Sequence, residues 1–473
     1  MRKKLFIAGK WVEARAYATL FSPYSGDPIA EIPAASVDEA DRAIEAACEA
    51  KAEMAGMPAH RRSAILYSLS RLLEERADEA ARLIAAEAAK PVKIARTEVE
   101  RTIQTYRFSA EEAKRIRGKT VPMDAAPGGE GRIAYTVREP VGVVGAIAPF
   151  NFPMNLVAHK VGPAIASGNA VVLKPASQTP LSAFFLGELL EEAGLPPGAL
   201  NIVTGSGARV GNRIVQDDRV GLVTFTGSPS VGMAIRSRAG WKRVILELGS
   251  NAALIVDKDA DVAKIVPRCV QGAFSYQGQI CISLQRIYVH EAVYETFVSE
   301  FVEAVSRLRI GDPLDPDVDL SAMISSEEVG RSVEWIEEAV TRGARVACGG
   351  KSEGRCLQPT VLLEVDPACK VSCQEAFAPI VLINRIRDAQ EGVERVNDSR
   401  YGLQAGIYTE NLRTALDAAE RLRVGGVIVN DIPTFRVDHM PYGGVKESGL
   451  GREGVEYAVR EMTELKLVVF NRH

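Results

Sequence analysis

The apolar residues of the chain follow two periods, and together these periods predict alternating helices and strands. Between residues 37 and 90, apolar residues such as Leu69, Leu72 and Leu73 recur three or four positions apart, which predicts two or three amphipathic helices. From residue 141 to residue 248, short apolar runs alternate with helical patterns. The runs are Val141 to Ile147, Ala170 to Leu173, Asn201 to Val203, Val220 to Phe225 and Val244 to Leu246. Such alternation is typical of a parallel sheet built from βαβ units.

A second unit of the same kind begins after Gly249. The pattern predicts strands at residues 253–256 and 286–289, and helices at residues 262–274 and 293–308. We therefore expect two parallel sheets that follow one another along the chain.

Two further segments alternate apolar and polar side chains in the two-residue period of a half-buried strand. They are residues 133–137 and residues 465–469, and we predict that they pair as a small flap apart from the main cores. The predicted fold is thus a three-part α/β structure. The predicted boundaries are 1–118 with 139–248 for the first part, 249–430 for the second, and 119–138 with 453–473 for the flap.

Length, composition and charge restrict the class of protein. A chain of 473 residues is longer than one hydrophobic core usually serves, which agrees with several parts. The 57 basic and 61 acidic residues are mixed along the chain, so we expect no nucleic-acid partner and no anionic membrane surface as a partner. The most apolar stretch, residues 141–149, is shorter than the ~20 residues of a membrane-spanning helix. We predict a cytoplasmic protein.

Two turns between a strand and a helix are candidate nucleotide sites. Gly205, Gly207 and Gly211 form a GxGxxxG pattern, and the segment Phe225-Thr226-Gly227-Ser228 follows the next strand. Glycines let a backbone approach a pyrophosphate, and a helix N-terminus supplies free N–H donors. The spacing departs from the common GxGxxG fingerprint, so ordinary strand-to-helix turns are an equal alternative at this point.

Cys281 and Glu247 are the candidate reactive side chains. Cys281 lies in the polar loop Gln277-Gly278-Gln279-Ile280-Cys281, which suggests an accessible thiol, whereas the alternative is a small buried apolar residue. Glu247 ends a predicted parallel strand, where α/β sheets place their ligands, and the alternative there is a solvated carboxylate. The other cysteines and the five histidines show no metal-ligand spacing, so we predict no metal site.

Seven motifs, in one order over some three hundred residues, resemble those of the aldehyde dehydrogenase superfamily. They are Pro149-Phe150-Asn151-Phe152-Pro153, Lys174-Pro175-Ala176-Ser177, Phe225-Thr226-Gly227-Ser228, Glu247-Leu248-Gly249, Gly278-Gln279-Ile280-Cys281, Glu375-Ala376-Phe377-Ala378-Pro379 and Tyr442-Gly443-Gly444-Val445-Lys446-Glu447-Ser448-Gly449. The resemblance implies a Rossmann-like nucleotide-binding domain, an α/β catalytic domain and a small β oligomerisation flap. It also favours the functional interpretation of Cys281 and Glu247 over the structural one.

The resemblance implies NAD(P)+-dependent oxidation of an aldehyde to a carboxylic acid. Cys281 would be the nucleophile that forms a thioester, Asn151 would donate to the oxyanion, and Glu247 would activate water. Glu453 would assist proton transfer. The implied cofactor contacts are Ala148, Pro149, Phe150, Lys174, Ser177, Gly207, Gly211, Phe225, Thr226, Gly227, Ser228, Leu248, Glu375 and Phe377. Among these, Lys174 and Glu375 would hold the two riboses.

Three residues depart from the family pattern. Ser250 stands where many members have a second glycine after the base motif, which predicts a slightly different nicotinamide pocket. Ser177 stands where strongly NAD-selective relatives often have a glutamate, so both NADP and NAD are predicted cofactors. Ala378 replaces the usual glycine after Phe377, and the sequence offers no physical account of it.

The substrate is predicted to be a short polar aldehyde. The branch that the chain resembles holds lactaldehyde, succinate-semialdehyde and non-phosphorylating glyceraldehyde-3-phosphate dehydrogenases. The candidate substrate contacts are Phe152, Arg107, His159 and Arg436, each with a structural role as its alternative. Ile280 precedes the nucleophile where phosphate-recognising relatives tend to have arginine, which argues against a phosphorylated substrate.

Two other functions remain open from the sequence. One is a CoA-acylating aldehyde dehydrogenase, but such relatives usually lack a base at the position of Glu247. The other is a catalytically silent scaffold protein on this fold, against which the presence of Asn151, Glu247 and Cys281 argues. The predicted flap implies a homodimer or a homotetramer.

Overall fold

The computed structural model describes residues 1–472, so residue 473 of the predicted flap lies outside the described part of the chain. The strands are β1 (Leu5–Ile7), β2 (Lys10–Val12), β3 (Tyr17–Phe21), β4 (Pro28–Pro33), β5 (Thr120–Val121), β6 (Arg132–Pro140), β7 (Val143–Ile147), β8 (Ala170–Lys174), β9 (Leu200–Ile202), β10 (Leu222–Thr226), β11 (Arg243–Glu247), β12 (Ala253–Val256), β13 (Arg286–His290), β14 (Arg345–Cys348), β15 (Ser352–Glu353), β16 (Cys356–Leu357), β17 (Thr360–Leu363), β18 (Ile380–Ile386), β19 (Gln404–Tyr408), β20 (Gly426–Val429), β21 (Gly449–Leu450) and β22 (Thr463–Asn471). The helices are α1 (Val37–Gly56), α2 (Ala59–Glu75), α3 (Ala77–Ala88), α4 (Val92–Glu112), α5 (Asn155–Ala166), α6 (Leu181–Glu192), α7 (Asn212–Gln216), α8 (Pro229–Arg238), α9 (Val262–Phe274), α10 (Tyr294–Ser306), α11 (Ser326–Thr341), α12 (Lys370–Cys373), α13 (Ala389–Asn397), α14 (Leu412–Arg421) and α15 (Val455–Glu461).

The first sheet has eight strands in the order β2-β1-β9-β8-β7-β10-β11-β21. Strands β7 to β11 are parallel to one another, whereas β1 and β21 pair antiparallel with β9 and β11. Side chains alternate between its two faces, as the strand period requires. Val144 and Val171 pack into one apolar cluster, whereas Val143 and Val172 pack into another on the opposite face. The predicted βαβ pattern of residues 141–248 is therefore present as a sheet covered on both sides.

The second sheet has seven strands in the order β14-β17-β18-β13-β12-β19-β20. Strand β12 shows the same alternation, because Leu254 faces a cluster with α9 and α10 while Ile255 faces one with α13 and α14. The predicted strand 253–256 and the predicted helix 262–274 coincide with β12 and α9. The mixed α/β architecture with parallel sheets that the sequence predicts is thereby confirmed.

The two predicted flap strands pair with each other. Strand β22 runs antiparallel to β6 over nine residue pairs, from Thr463 opposite Pro140 to Asn471 opposite Arg132, and β5 lies on the other edge of β6. The predicted C-terminal flap segment also contains α15, which packs Val459 into the first core. The short strand β21 returns to the edge of the first sheet.

Among residues 1–472, no helix combines the length and the apolar composition needed to cross a bilayer. The catalytic candidates lie at or next to the ends of strands in both sheets. Asn151 follows β7 and Glu247 is the last residue of β11 in the first sheet, whereas Cys281 and Glu375 precede β13 and β18 in the second. Residues at the carboxyl ends of strands in the first sheet thus lie close to residues that precede strands of the second.

Candidate active site

The loop that carries Cys281 leaves α9 through a tight turn. Tyr276 and Gln277 have φ values of 47° and 53°, and Gly278 has a φ of 67°, so three successive residues adopt the left-handed region. A Cβ atom at Gly278 would lie 2.1 Å from the carbonyl oxygen of Ala378, so only glycine fits between the two backbones. This turn directs the chain back toward the first sheet at Cys281.

Ala378 now has a physical account, although the sequence offered none. It is 2% exposed and packs into an apolar cluster that includes Leu382, so its methyl group fills core volume. Its carbonyl oxygen accepts a hydrogen bond from the Ile380 amide at 2.8 Å. The methyl group is therefore part of this apolar packing.

The Cys281 thiol is half-buried and contacts one polar side chain. Its Sγ atom lies 2.9 Å from the hydroxyl oxygen of Tyr442. Burial raises the pKa of Cys281 to about 11, although the hydrogen bond with Tyr442 and the charge of Arg436 oppose this shift. The thiol form is therefore the resting state of Cys281 in this structure at neutral pH.

Asn151 lies between β7 and α5, with its side chain aimed at the Cys281 loop. Its Nδ2 atom donates a hydrogen bond to the carbonyl oxygen of Gln279 at 3.0 Å. An amide nitrogen carries two hydrogens, so a second donor remains for an oxyanion. Asn151 and Cys281 line the same cavity, as the predicted oxyanion site requires.

Glu247 is a buried carboxylate with neither oxygen hydrogen-bonded to any residue in the range 1–472. Burial raises the pKa of Glu247 well above its ordinary value, and the negative charge of Glu453 raises it further. A carboxyl whose pKa is raised binds a proton more readily and is suited to accepting one from water. Glu247 lines the same cavity as Cys281.

Glu453 is held in a buried network of charges. Its carboxylate accepts from the Lys160 ammonium at 3.0 Å and from the Arg436 guanidinium at 3.1 Å. Burial would raise its pKa, but the charges of Lys160, His159 and Arg436 outweigh burial and lower it. Lys160 also donates to the Thr226 hydroxyl at 2.6 Å, and the sequence analysis did not identify Lys160. Glu453 is thus a paired carboxylate one contact away from the cavity lining.

The first cavity has a volume of about 320 Å³ and contains most of the predicted cofactor and catalytic residues. Its lining is Pro149, Phe150, Asn151, Leu156, Thr226, Gly227, Ser228, Glu247, Leu248, Gly249, Cys281, Glu328, Arg331, Glu375 and Phe377. Phe225, a predicted contact, instead packs beneath the turn, because a Cβ atom at Gly227 would lie 2.5 Å from its ring. Arg331 was not predicted, and it donates to the carbonyl oxygen of Ala376 at 2.7 Å.

Glu375, which lines this cavity, is hydrogen-bonded to Ser250. The backbone N–H of Ser250 donates to the Glu375 carboxylate at 2.9 Å. Burial raises the pKa of Glu375 to about 7, and the hydrogen bond from Ser250 opposes that shift. The ring of Phe377 meets the ring of Phe150 edge to face, with centroids 5.8 Å apart.

The other predicted cofactor residues gather beside the first sheet, outside that lining. The backbone N–H of Ala148 donates to the carbonyl oxygen of Lys174 at 3.1 Å, and Ser177 donates to the carbonyl oxygen of Gly205 at 3.3 Å. A Cβ atom at Gly211 would lie 3.7 Å from Cδ of Lys174. Burial lowers the pKa of Lys174 to about 8. Gly207 begins a single π-helical turn that ends at Gly211.

A second cavity, of about 140 Å³, opens on the other side of Cys281. Its lining is Ile94, Thr97, Glu98, Arg101, Phe152, Asn155, Leu156, Ser275, Ile280, Cys281, Ile282, Thr434, Arg436 and Tyr442. Phe152 and Arg436 are the two predicted substrate contacts that lie in this lining. The structure adds Arg101, which the sequence analysis missed. It lies on the same face of α4 as three other lining residues, spaced three or four positions apart.

Arg107 and His159, the other predicted substrate contacts, lie outside both cavity linings. Arg107 is six positions after Arg101, which places it on another face of α4, and its guanidinium pairs with Glu74 at 2.6 Å. His159 is 1% exposed, and its Nε2 atom lies 2.9 Å from the Asp438 carboxylate. Asp438 in turn pairs with Arg101 at 2.7 Å. His159 therefore contacts Asp438, the partner of Arg101, and does not line the cavity.

The chain matches a family model along almost its entire length. Residues 11–468 match the model described as the aldehyde dehydrogenase family. The chain belongs to the aldehyde dehydrogenase family. This confirms the resemblance predicted from the sequence, and with it the enzyme class, an NAD(P)+-dependent aldehyde dehydrogenase.

Three similar proteins, matched over almost the full length of the chain, are dehydrogenases. A 3-sulfolactaldehyde dehydrogenase from Priestia megaterium is 47% identical over 467 residues, covering 99% of this chain and 98% of the relative. Aldehyde dehydrogenase 21 from Physcomitrella patens, in complex with succinate, superposes with a TM-score of 0.98 at 42% identity, covering 100% and 98% of the two chains. Glyceraldehyde-3-phosphate dehydrogenase GapN from Methanocaldococcus jannaschii, complexed with NADP, has a TM-score of 0.93 at 40% identity, covering 97% and 100%.

The residues of this family member fit the NAD(P) cofactor that aldehyde dehydrogenases use. Glu375 is a half-buried carboxylate at the first cavity with a single backbone N–H as partner, which leaves it free to accept from a ribose hydroxyl. Lys174 is 5% exposed, and its ammonium donates to the carbonyl oxygen of Pro175 at 3.1 Å, which leaves two donors for a ribose. When bound, NAD(P)+ supplies a hydride acceptor.

The alkylation of Cys281 should reflect its raised pKa. Because the thiolate is the reactive form, we expect the iodoacetamide rate at Cys281 to rise about tenfold per pH unit from pH 7 to pH 9 in the cofactor-free protein. Tyr442→Phe removes the hydrogen bond that favours the thiolate, so its rate should be lower at each pH. Mass spectrometry of the peptide that contains Cys281 measures both rates.

The matched control is Tyr457→Phe, which removes a tyrosine hydroxyl elsewhere and should react like the wild type. A rate that reaches its plateau below pH 8 would show that the thiol already ionises near neutrality and would contradict the raised pKa.

Proposed function

We propose that the chain oxidises a short polar aldehyde to its carboxylic acid through a thioester on Cys281. The observation that carries this proposal is the convergence of Cys281, Asn151 and Glu247 on one cavity that also holds Glu375 and Phe377. A nucleophile, an oxyanion donor and a base thus face the residues that suit a nicotinamide ribose.

The first step is attack by the Cys281 sulfur on the aldehyde carbon. The Asn151 amide and the backbone N–H of Cys281 donate to the oxygen as it becomes negative. Because burial opposes ionisation of the resting thiol, its proton must leave to solvent water as attack proceeds, and Glu247 is kept for the second step. The hydride that the adduct then loses would go to NAD(P)+, which leaves the thioester.

The second step is hydrolysis of the thioester. Glu247 activates a water molecule, since its unpaired, buried carboxylate has a raised pKa and lines the cavity at the sulfur. The charges of Lys160 and Arg436 hold Glu453 in its ionised form. The negative charge of Glu453 therefore keeps the pKa of Glu247 high between turnovers.

The second cavity favours an aldehyde that carries an anionic group. Arg436 is buried there, its Nε atom has no hydrogen-bond partner within the described residues 1–472, and its guanidinium carbon lies 3.7 Å from the centroid of the Tyr442 ring. Arg101 lines the same cavity. A carboxylate or sulfonate satisfies such donors. The names of the similar proteins, which mention sulfolactaldehyde and succinate, agree with this chemistry.

Turnover tests the proposed mechanism directly. We expect reduction of NAD+ or NADP+, followed at 340 nm with a panel of short aldehydes, to vanish in Cys281→Ala. In Glu247→Gln we expect one equivalent of reduced cofactor in a rapid burst, followed by steady turnover lowered at least about 100-fold, because only hydrolysis loses its base. Asn151→Ala should lower kcat by about 100-fold to 1000-fold through loss of one oxyanion donor.

The same assay separates the competing functions. Turnover that requires CoA and yields an acyl-CoA would show thiolysis instead of hydrolysis. Retained activity in Cys281→Ala would identify another nucleophile, and absence of reduction with every aldehyde and cofactor would leave the scaffold function.

The anionic substrate class is tested by comparing a charged aldehyde with a neutral one. Arg101→Met should raise KM at least about tenfold for succinate semialdehyde and leave KM for lactaldehyde within about twofold, because only the first loses a charged hydrogen bond. Arg107→Met on the same helix, whose guanidinium pairs with Glu74 outside the cavity, is the control and should resemble the wild type. An equal rise for both aldehydes would contradict the assignment of Arg101.

We also propose that the chain forms a homodimer or a homotetramer through the flap. The flap sheet exposes large apolar side chains on both of its faces, which single chains rarely leave uncovered. They are Leu465, Leu467 and Val469 on one face, and Ile133 and Phe470 on the other. Light scattering should give a mass of two or four chains, and Leu467→Asp should lower that mass. Leu412→Asp, on exposed α14, should leave it unchanged, and a monomeric wild type would refute the proposal.

A further inference from the structure

A buried turn between α3 and α4 contacts both loops of the proposed oxyanion site. The turn is Ala88-Ala89-Lys90, and all three residues have an exposed fraction of zero. Ala89 has a φ of 48°, which reverses the chain at the end of α3. The proposed mechanism does not use this turn, and none of its residues lines either cavity.

The first contact of this turn is with the loop that carries Cys281, residues 275–281, which we call the nucleophile loop. The carbonyl oxygen of Ala88 accepts a hydrogen bond from the Tyr276 hydroxyl at 3.1 Å, and that of Ala89 accepts from Nε2 of Gln277 at 3.0 Å. Tyr276 and Gln277 are the two residues held at positive φ just before Gly278. Such backbone persists only where its surroundings determine it, and these hydrogen bonds are part of those surroundings.

The second contact is with the segment that begins at Asn151, residues 151–156, which we call the oxyanion loop. The Lys90 ammonium donates to the backbone carbonyl oxygen of Asn151 at 2.6 Å and also pairs with the buried Glu98 carboxylate. Glu98 in turn accepts from the backbone N–H groups of Met154 at 3.0 Å and Asn155 at 3.2 Å, where α5 begins. Lys90 and Glu98 therefore hold the segment between Asn151 and Asn155 at both ends.

The Lys90 ammonium also lies between two aromatic rings, one from each loop. Its Nζ atom is 3.7 Å from the centroid of the Phe152 ring and 4.3 Å from the centroid of the Tyr276 ring. The two rings are 6.3 Å apart at an interplanar angle of 74°. A cation over two ring faces attracts both, so one charge draws the two loops together.

Burying an ammonium group costs free energy even when it is paired. Its presence at Lys90 therefore calls for a role that an apolar side chain could not fill. Burial lowers the pKa of Lys90 to about 8, against the opposing charge of Glu98, which measures how unfavourable this location is for a cation. An apolar residue of the same length could fill the volume, but it could not bond to the carbonyl of Asn151. Buried ion pairs are weak evidence for stability and better evidence for a fixed arrangement.

We propose that Lys90, supported by Glu98, is a positioning residue that sets the oxyanion loop in register with the nucleophile loop. The two oxyanion donors, the Asn151 amide and the Cys281 N–H, stand on loops of different sheets, and Lys90 contacts both loops at once. The inference rests on the proposed function, because positioning matters only if the two donors share an oxyanion. Donors displaced by about 1 Å lose on the order of 100-fold in rate.

The kinetic test is a double-mutant cycle between Lys90 and Asn151. The variant Lys90→Met/Glu98→Gln removes the ammonium without leaving an unpaired buried charge. It should lower kcat about 10-fold to 100-fold, with KM for the cofactor within about twofold. In the Asn151→Ala background the same pair of substitutions should cost less than about threefold, because the donor that it positions is already absent. Equal losses in both backgrounds would overturn the inference.

Amide hydrogen exchange tests the positioning without relying on turnover. In Lys90→Met/Glu98→Gln, peptides that cover residues 151–156 and 275–281 should exchange at least about tenfold faster than in the wild type, with other peptides unchanged. The matched control is Glu87→Gln. Glu87 is equally buried and accepts from the backbone N–H groups of Leu181 and Ser182 at the start of α6. Its variant should loosen that helix start and keep kcat within about twofold.

The two measurements separate failure of the inference from failure of the proposed function. Unchanged exchange at both loops overturns the inference whatever the activity. Faster exchange at both loops, in a protein whose wild type reduces neither NAD+ nor NADP+ with any aldehyde, supports loop registration and refutes the proposed function instead.

Discussion

The structure depends on one constraint, which is that a single reactive centre is assembled from two sheets. Asn151 follows one strand of the first sheet and Glu247 ends another, and Cys281 and Glu375 precede strands of the second. No strand joins the two sheets within residues 1–472. The relative position of these groups is therefore set by side chains and loop backbones at the junction, where small displacements matter most for catalysis.

Charge supplies much of this support. Lys160 and Arg436 hold the Glu453 carboxylate, and Arg101 and His159 hold the Asp438 carboxylate. Burial makes each charge costly alone, and pairing offsets much of that cost. As a result, the two buried carboxyl groups of Glu453 and Glu247 differ in their pKa. Paired Glu453 stays ionised, whereas unpaired Glu247 has a raised pKa and is available as a base.

Cys281 is placed between two cavities with different chemical linings. The cavity on one side presents Glu375 and Phe377, and the cavity on the other presents Arg101 and Arg436. A thiol between a cofactor side and a substrate side can react with a substrate from one cavity while the cofactor occupies the other. The buried, protonated state of the thiol limits its reaction with other molecules between turnovers.

The sequence by itself determined the two α/β units and the family, and it named the candidate reactive side chains. The strands and helices follow from the spacing of apolar residues, and Cys281, Glu247 and Asn151 follow from short motifs in which neighbours along the chain act together. The tertiary structure decided which distant residues meet. Arg101 rather than Arg107 lines the second cavity because only one face of α4 turns inward, and Lys90 and Lys160 reach the site from segments that carry no local signal of it. Periodicity and motifs report on residues close in sequence, whereas the support of this site consists of contacts between residues far apart in the chain.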